Sequence, residues 1–428
     1  MSHKAEVGAT IRELSDQLIE AQRPIRILEA VKWDEGVKDA FFRGGCKSLP
    51  KVDSATYSAR ALGFDPEAKI AQLFDLELQT RKRLGEFNPV GKILRRMALE
   101  YSDSVRMIAA RGTENFSRWS QELYGSAHDV FYQGEPTMAE FGEIIAGDLA
   151  EVEASKHLSP NRKTIPASEA VGILSDWFAK SFATGDMKID VRLSDGIIAD
   201  AAAGADYIKL RANAHYSERD LRLLEAHEGW VHVGTTLNGL AQPYCTFLSK
   251  GPPSSTITQE GIAIFIENVS FRSYPERVLR VANRVRAVAM AEDGADFLDV
   301  FRFYREQGLG DGEAYNGASR VFRGSLPDGK PFTKDISYVK GFVQVFCFVQ
   351  LAIKRGLLNR IPMLFCGKAT LEDIKVLSEL VEEGLVVAPK LLPPQMADMH
   401  GLVAWMSYSN FLRQLSLTSI ERDYATIL

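Results

Sequence analysis

Two histidines and a glutamate stand together in His227-Glu228-Gly229-Trp230-Val231-His232. That combination suits metal-assisted hydrolysis: neutral ring nitrogens hold a divalent ion, and the carboxylate takes a proton from a water whose pKa the ion lowers. In the familiar helical form, HExxH, the histidines are four apart and share a face. Here they are five apart. Five residues of ideal α-helix turn through about 500°, which leaves the two rings roughly 140° apart. Both rings can reach one ion only if the helix is locally under-wound, as in a π-bulge. Gly229 lies inside the interval, where a residue tolerant of irregular backbone would help. Glu228 is then the candidate general base.

A catalytic zinc keeps three protein ligands and one open position. The candidate for the third is Glu260, 33 residues after His227. Gly251-Pro252-Pro253 breaks the chain ahead of Ser254–Ile266, and Thr256 and Gln259 stand three apart as in a capping box. The spacing predicts that Glu260 sits in the first turn of a new helix, whose partly positive end favours an ionised carboxylate. Glu267, seven residues further on, lies nearly on the same face and is a candidate to orient a ligand histidine through its other ring nitrogen. Asn238, six residues after His232, is a second such candidate. His215, just ahead of the metal helix, either faces the cleft or caps.

These residues need elements to position them. Ser217 is a plausible N-cap for a helix through the histidines, with Glu218 and Asp220 in its first turn and Leu221 and Leu224 on its buried side. Immediately before it comes the clearest strand cluster of the chain. Met187–Leu193 alternates with period two, and Gly196–Ala201 and Tyr207–Leu210 read as two further strands. From Ala5 to about His157 the sequence reads instead as successive amphipathic helices, among them Ala68–Leu84 and Val90–Glu100. Helical patterns return over Gly261–Gln307 and from Ser337 to the end. The expected divisions are a helical region over 1–160, a metallopeptidase core over 161–345, and a helical region over 346–428 that forms one compact unit with the core.

Composition excludes several classes. Of 428 residues, 46% are hydrophobic and 25% charged, which are globular values. Lys+Arg 51 against Asp+Glu 56 gives a net charge of −5, so no global positive field draws nucleic acid or anionic lipid, and neither is expected as a partner. The four cysteines form no CxxC and read as small core residues in a reducing compartment. The N-terminus lacks the apolar core of a signal peptide, and no stretch reaches 18 uncharged apolar residues. A cytoplasmic location is expected.

HEGWVH, followed by NGLAQP (Asn238–Pro243) and TQEGIA (Thr258–Ala263), resembles the family of microtubule-associated tyrosine carboxypeptidases, whose bacterial members are labelled QEGLA-motif or flavohaemoglobin expression-modulating proteins. ARGTENFSRWSQELYG (Ala110–Gly125) and RVFRGSLPDGKPFTKDISYVKGF (Arg320–Phe342) are similar to the same family, and the resemblance runs from about residue 40 to about residue 385. It implies a zinc peptidase with His227, His232 and Glu260 as ligands and Glu228 as base. Its eukaryotic members remove the C-terminal tyrosine of α-tubulin. QEGLA reads QEGIA here, an exchange of one branched aliphatic for another. Trp230, inside the ligand interval, is expected to pack in the core. A carboxypeptidase also needs a cation for the terminal carboxylate of its substrate. In the segments similar to the family, Arg323 and Lys334 are the candidates, and Tyr338 could donate to the developing oxyanion. The fold expected is α+β, predominantly helical, with a zincin-like metallopeptidase core and a small sheet next to the HExxxH helix. The expected activity is zinc-dependent removal of one C-terminal residue, an aromatic one being a candidate, from a peptide or protein. The alternatives are a zinc amidohydrolase acting on a non-peptide amide, and a non-catalytic regulatory protein with a structural metal site.

Overall fold

Alternating sequence becomes a strand where one face can be buried. The computed structural model describes residues 3–182, 188–197 and 199–424. Among these residues it forms five short strands: β1 (Ile165–Pro166), β2 (Asp190–Ser194), β3 (Ala201–Ala203), β4 (Tyr207–Arg211) and β5 (His215–Tyr216). Strands β1 and β5 pair antiparallel. The other three make a sheet of order β2-β4-β3, in which β4 is parallel to β2 and antiparallel to β3. Ile208 and Leu210 of β4 point to one side and are fully buried. The strand expected over 196–201 forms later, at β3. Met187 and Ile198, which the sequence pattern counted, lie outside the described residues.

The buried face of this sheet packs on α1 (Ala167–Ser181), through Leu174 and Phe178, and on Phe182 just after it. Next in the chain come α2 (Glu218–Leu224), a π-helical segment over Glu225–Val233, and α3 (Gly234–Leu240), running on as one rod. Ser217 caps its start: its hydroxyl accepts the Asp220 N–H at 3.0 Å, and the Asp220 carboxylate accepts the Ser217 N–H at 2.9 Å. The rod separates two apolar clusters. Leu221, Trp230 and Val233 belong to the sheet cluster, with Trp230 stacked on Phe182 at 4.3 Å between centroids. Ala226 and Val231 belong to the larger cluster on the other side. Burying side chains of this size contributes about 1.5–3 kcal/mol each, so the helix that carries both histidines is gripped from both flanks.

The larger cluster is helical. Leu73, Leu94, Met97 and Phe116 from the first 120 residues meet Phe265, Phe322 and Val345, and Leu377 and Met406 near the end join the same cluster. Its central pair is α4 (Pro253–Val269) and α7 (Ser337–Lys354), between which lie α5 (Pro275–Glu292) and α6 (Asp311–Phe322) in the chain. The protein is thus mostly helical with two small sheets, as the α+β expectation had it. The segment Thr333–Lys354 is long and apolar enough to cross a membrane by length and composition, but half of its most apolar window is buried inside the fold.

The crossing of α4 and α7 depends on two glycines. A Cβ at Gly261 would lie 2.2 Å from the backbone carbonyl of Gly341, and one at Gly341 would lie 2.0 Å from the Ile257 oxygen. Both obstacles are backbone, so neither can rotate aside. Gly261→Ala is therefore expected to lower unfolding stability by about 1–3 kcal/mol, read as a fall in the urea midpoint. An unchanged midpoint would show that the helices cross less tightly than described.

Candidate metal centre

The under-winding that the five-residue spacing required is present. Glu225–Val233 is π-helical, and in a helix bonded from each residue to the fifth one along, His227 and His232 come onto one side. Their ring centroids are 4.8 Å apart. Gly229 serves a different purpose from the one expected. A Cβ there would lie 2.3 Å from Cε1 of Phe178, so glycine is needed because α1 approaches closely.

Glu260 completes the group, although it is not where the sequence placed it in its helix. Pro252 is the N-cap of α4 and Pro253 its first residue, so Glu260 is the eighth residue, in the third turn. Proline suits a helix start because its missing N–H is not needed there and its φ is already helical. The Thr256–Gln259 capping box does not form, and the positive helix end is too far away to hold the carboxylate. Neighbouring side chains hold it instead. Glu260 Oε2 lies 3.5 Å from Nε2 of His227 and 3.6 Å from Nε2 of His232, and Lys334 Nζ lies 3.7 Å from Oε1. Burial alone would raise the Glu260 pKa, but the two imidazoles and Lys334 hold it well below the usual carboxylate range.

Three ligand atoms, one from each of His227, His232 and Glu260, lie within 4.8 Å of one another. Glu260 Oε2 is buried and has no hydrogen-bond partner among the described residues. A buried carboxylate oxygen is costly to leave unpaired, and two imidazole nitrogens with one carboxylate oxygen form a donor set that suits zinc with a position left open. The residues therefore fit a divalent ion. None of the four cysteines belongs to the group.

A second layer stands behind His227. Its Nδ1 is 2.6 Å from Glu267 Oε1, which leaves Nε2 turned toward Glu260. Arg277 in turn grips Glu267, with Nη2 2.8 Å from Oε1 and Nε 3.1 Å from Oε2. Burial pushes Glu267 upward, but Arg277 and His227 outweigh it and bring its pKa down to about 2. For His227, burial acts downward while Glu260 and Glu267 raise the pKa to about 10. The point between the ligands thus favours positive charge at neutral pH.

Asn238 lies elsewhere. Its amide donates to the carbonyls of Phe365 and Leu391 and accepts the N–H groups of Lys390 and Leu391, so it pins the C-terminal loops instead of turning His232. Gln242 of the same NGLAQP stretch acts alike on Val387. In TQEGIA, Gln259 accepts from Thr235 Oγ1 and from the half-buried Lys368 side chain, which also donates to the His232 carbonyl. Lys368 stands 136 residues from His232, and no spacing in the sequence pointed to it.

Glu228 and His227 share the wall of a cavity of about 220 Å³ with Tyr338, at the start of α7. Glu228 Oε2 accepts the Ala203 N–H at 3.0 Å, so the sheet edge fixes the carboxylate. The other cations of the Arg320–Phe342 segment are dispersed. Arg320 is taken up by Asp335 through bonds of 2.7 and 2.6 Å, and Lys340 donates to the Tyr124 carbonyl. Arg323 is buried and opens onto an adjoining cavity, not the one lined by His227. Burial brings its pKa down to about 10. His215 is exposed on β5. Sequence reasoning passed over the arginines of α5 that line the cavity beside His227, Arg277, Arg280 and Arg284. Their spacing of three and four residues was a legible signal for one helix face.

The model for the family described as microtubule-associated tyrosine carboxypeptidase matches residues 39–414, nearly the whole chain. No curated protein matches.

Proposed function

This chain belongs to the microtubule-associated tyrosine carboxypeptidase family, and from that membership and the three converging donors we propose that it is a zinc-dependent carboxypeptidase. The family description supports carboxypeptidase-type activity on proteins. The zinc, the zincin-like character of the core and a preference for an aromatic terminal residue are parts of the proposal. The observation that carries it is the buried Glu260 Oε2, without a hydrogen-bond partner among the described residues, facing two imidazole nitrogens next to a cavity lined by Glu228.

His227, His232 and Glu260 would hold the ion. When bound it supplies Lewis acidity, polarising a carbonyl and lowering the pKa of water. The chain's own groups do the rest. Glu228, steadied by the Ala203 N–H, takes a proton from the attacking water and passes it to the departing amine. Glu267, backed by Arg277, keeps His227 in the tautomer whose Nε2 is free. Tyr338 borders the same space and donates to the oxygen that gains charge. A cation receives the substrate's terminal carboxylate; Lys334 and Arg323 were the sequence candidates, and α5 contributes others.

The test is incubation of zinc-loaded protein with a peptide library degenerate at its C-terminus, read by mass spectrometry. Loss of single C-terminal residues is expected. Internal cleavage, or no cleavage at all, would contradict the proposal.

A further inference from the structure

We propose that Arg284 is the residue that receives the terminal carboxylate of the substrate, an inference that rests on the peptidase reading of the same cavity. Helix α5 presents Arg277, Arg280 and Arg284 to that cavity. Most of the guanidiniums around it are committed elsewhere. Arg277 holds Glu267, Arg320 holds Asp335, and Arg211 pairs with Asp200. Arg280 is half-buried and 4.0 Å from the same Asp200.

Arg284 differs from all of them. It makes no hydrogen bond and no ion pair within 4 Å among the described residues, its charge acting on Asp335 only from further off, and its Nη1 is buried without a partner. Its guanidinium lies over the Tyr338 ring, 4.2 Å from the centroid. That cation–π contact holds the guanidinium beside the ring. A buried donor left unpaired is costly, and a planar fork beside a hydrolytic centre is matched by a carboxylate, which accepts two parallel N–H bonds at once. In a peptide that has its last bond at Glu228, the group one residue beyond is the α-carboxylate. The other candidates fit less well. Lys334 lies 3.7 Å from Glu260 and shares the charge of a metal-site carboxylate, while Arg323 opens onto the adjoining cavity.

The test is binding in the Glu228→Gln background, with an acetylated tetrapeptide ending in an aromatic residue, offered as the free acid and as the C-terminal amide. The free acid is expected to bind more tightly. Arg284→Ala should weaken the acid by about 30-fold or more and leave the amide nearly unchanged, so that the preference disappears; Arg284→Lys should restore part of it, because a point charge still attracts but cannot form the fork. Equal affinity for acid and amide in the parent overturns the assignment. So does a preference that survives Arg284→Ala, or an equal loss for both peptides in Arg284→Ala and Arg284→Lys. The peptidase reading is judged separately, by hydrolysis in the unsubstituted protein. A protein that trims peptides yet keeps its preference without Arg284 refutes only the anchor, and one that binds the acid through Arg284 but cleaves nothing refutes only the peptidase.

Discussion

Glu228→Gln is expected to slow hydrolysis of a susceptible peptide by about 10²–10⁴-fold while leaving zinc content at about one ion per chain. The substitution keeps the shape of the side chain, and the amide oxygen can still accept the Ala203 N–H that now meets Oε2 at 3.0 Å. Only the capacity to take a proton is lost. Because Glu228 is not one of the three converging ligands, metal binding should be nearly indifferent to the change. Turnover and metal content are therefore measured on the same preparation. A rate that stays high would remove Glu228 from the proton path.

His232→Ala should have the opposite signature, with metal and activity lost together. It removes one of three ligands, and the fall in zinc affinity should exceed the 10–100-fold typical of changes in the supporting layer. Acid should act in the same direction on the intact site. Zinc binds neutral imidazole, and without an ion His227 carries its proton up to a pKa of about 10. Through the neutral range, each ion bound must therefore displace that proton, so apparent affinity rises with pH and binding releases at least about one proton. Calorimetry in buffers of different ionisation enthalpy reads that release. Zinc affinity that is independent of pH would mean that His227 is not a ligand.

How much of this was legible in the sequence depends on whether local or distant contacts decide each feature. The five-residue histidine spacing could be converted into a demand for an under-wound helix because helical rotation is fixed by local geometry, and Glu225–Val233 is π-helical. The Ser217 cap was equally local. Glu267 followed from helical spacing to Glu260. Glu260 itself was assigned to the wrong turn, because Pro252 and Pro253 were read as a break when they start the helix. Asn238 was misread because its partners, Phe365 and Leu391, are 127 and 153 residues away. Distance in the chain also hid Lys368. The arginine face of α5 was visible as a spacing, but solvated faces share that spacing, and only packing separates Arg277 and Arg284 from them. The motif glycines were ambiguous for the same reason: Gly229 and Gly261 are set by the approach of Phe178 and of Gly341, which the sequence around them does not record.

The central claim is that two imidazoles and one distant carboxylate hold a single zinc. X-ray absorption at the zinc edge tests it most directly, on protein stripped by chelator and refilled with one equivalent. The account predicts one ion per chain in a shell of nitrogen and oxygen with two imidazole signatures, one of them lost in His232→Ala. A protein that retains no zinc, or a shell that contains sulfur, would contradict it.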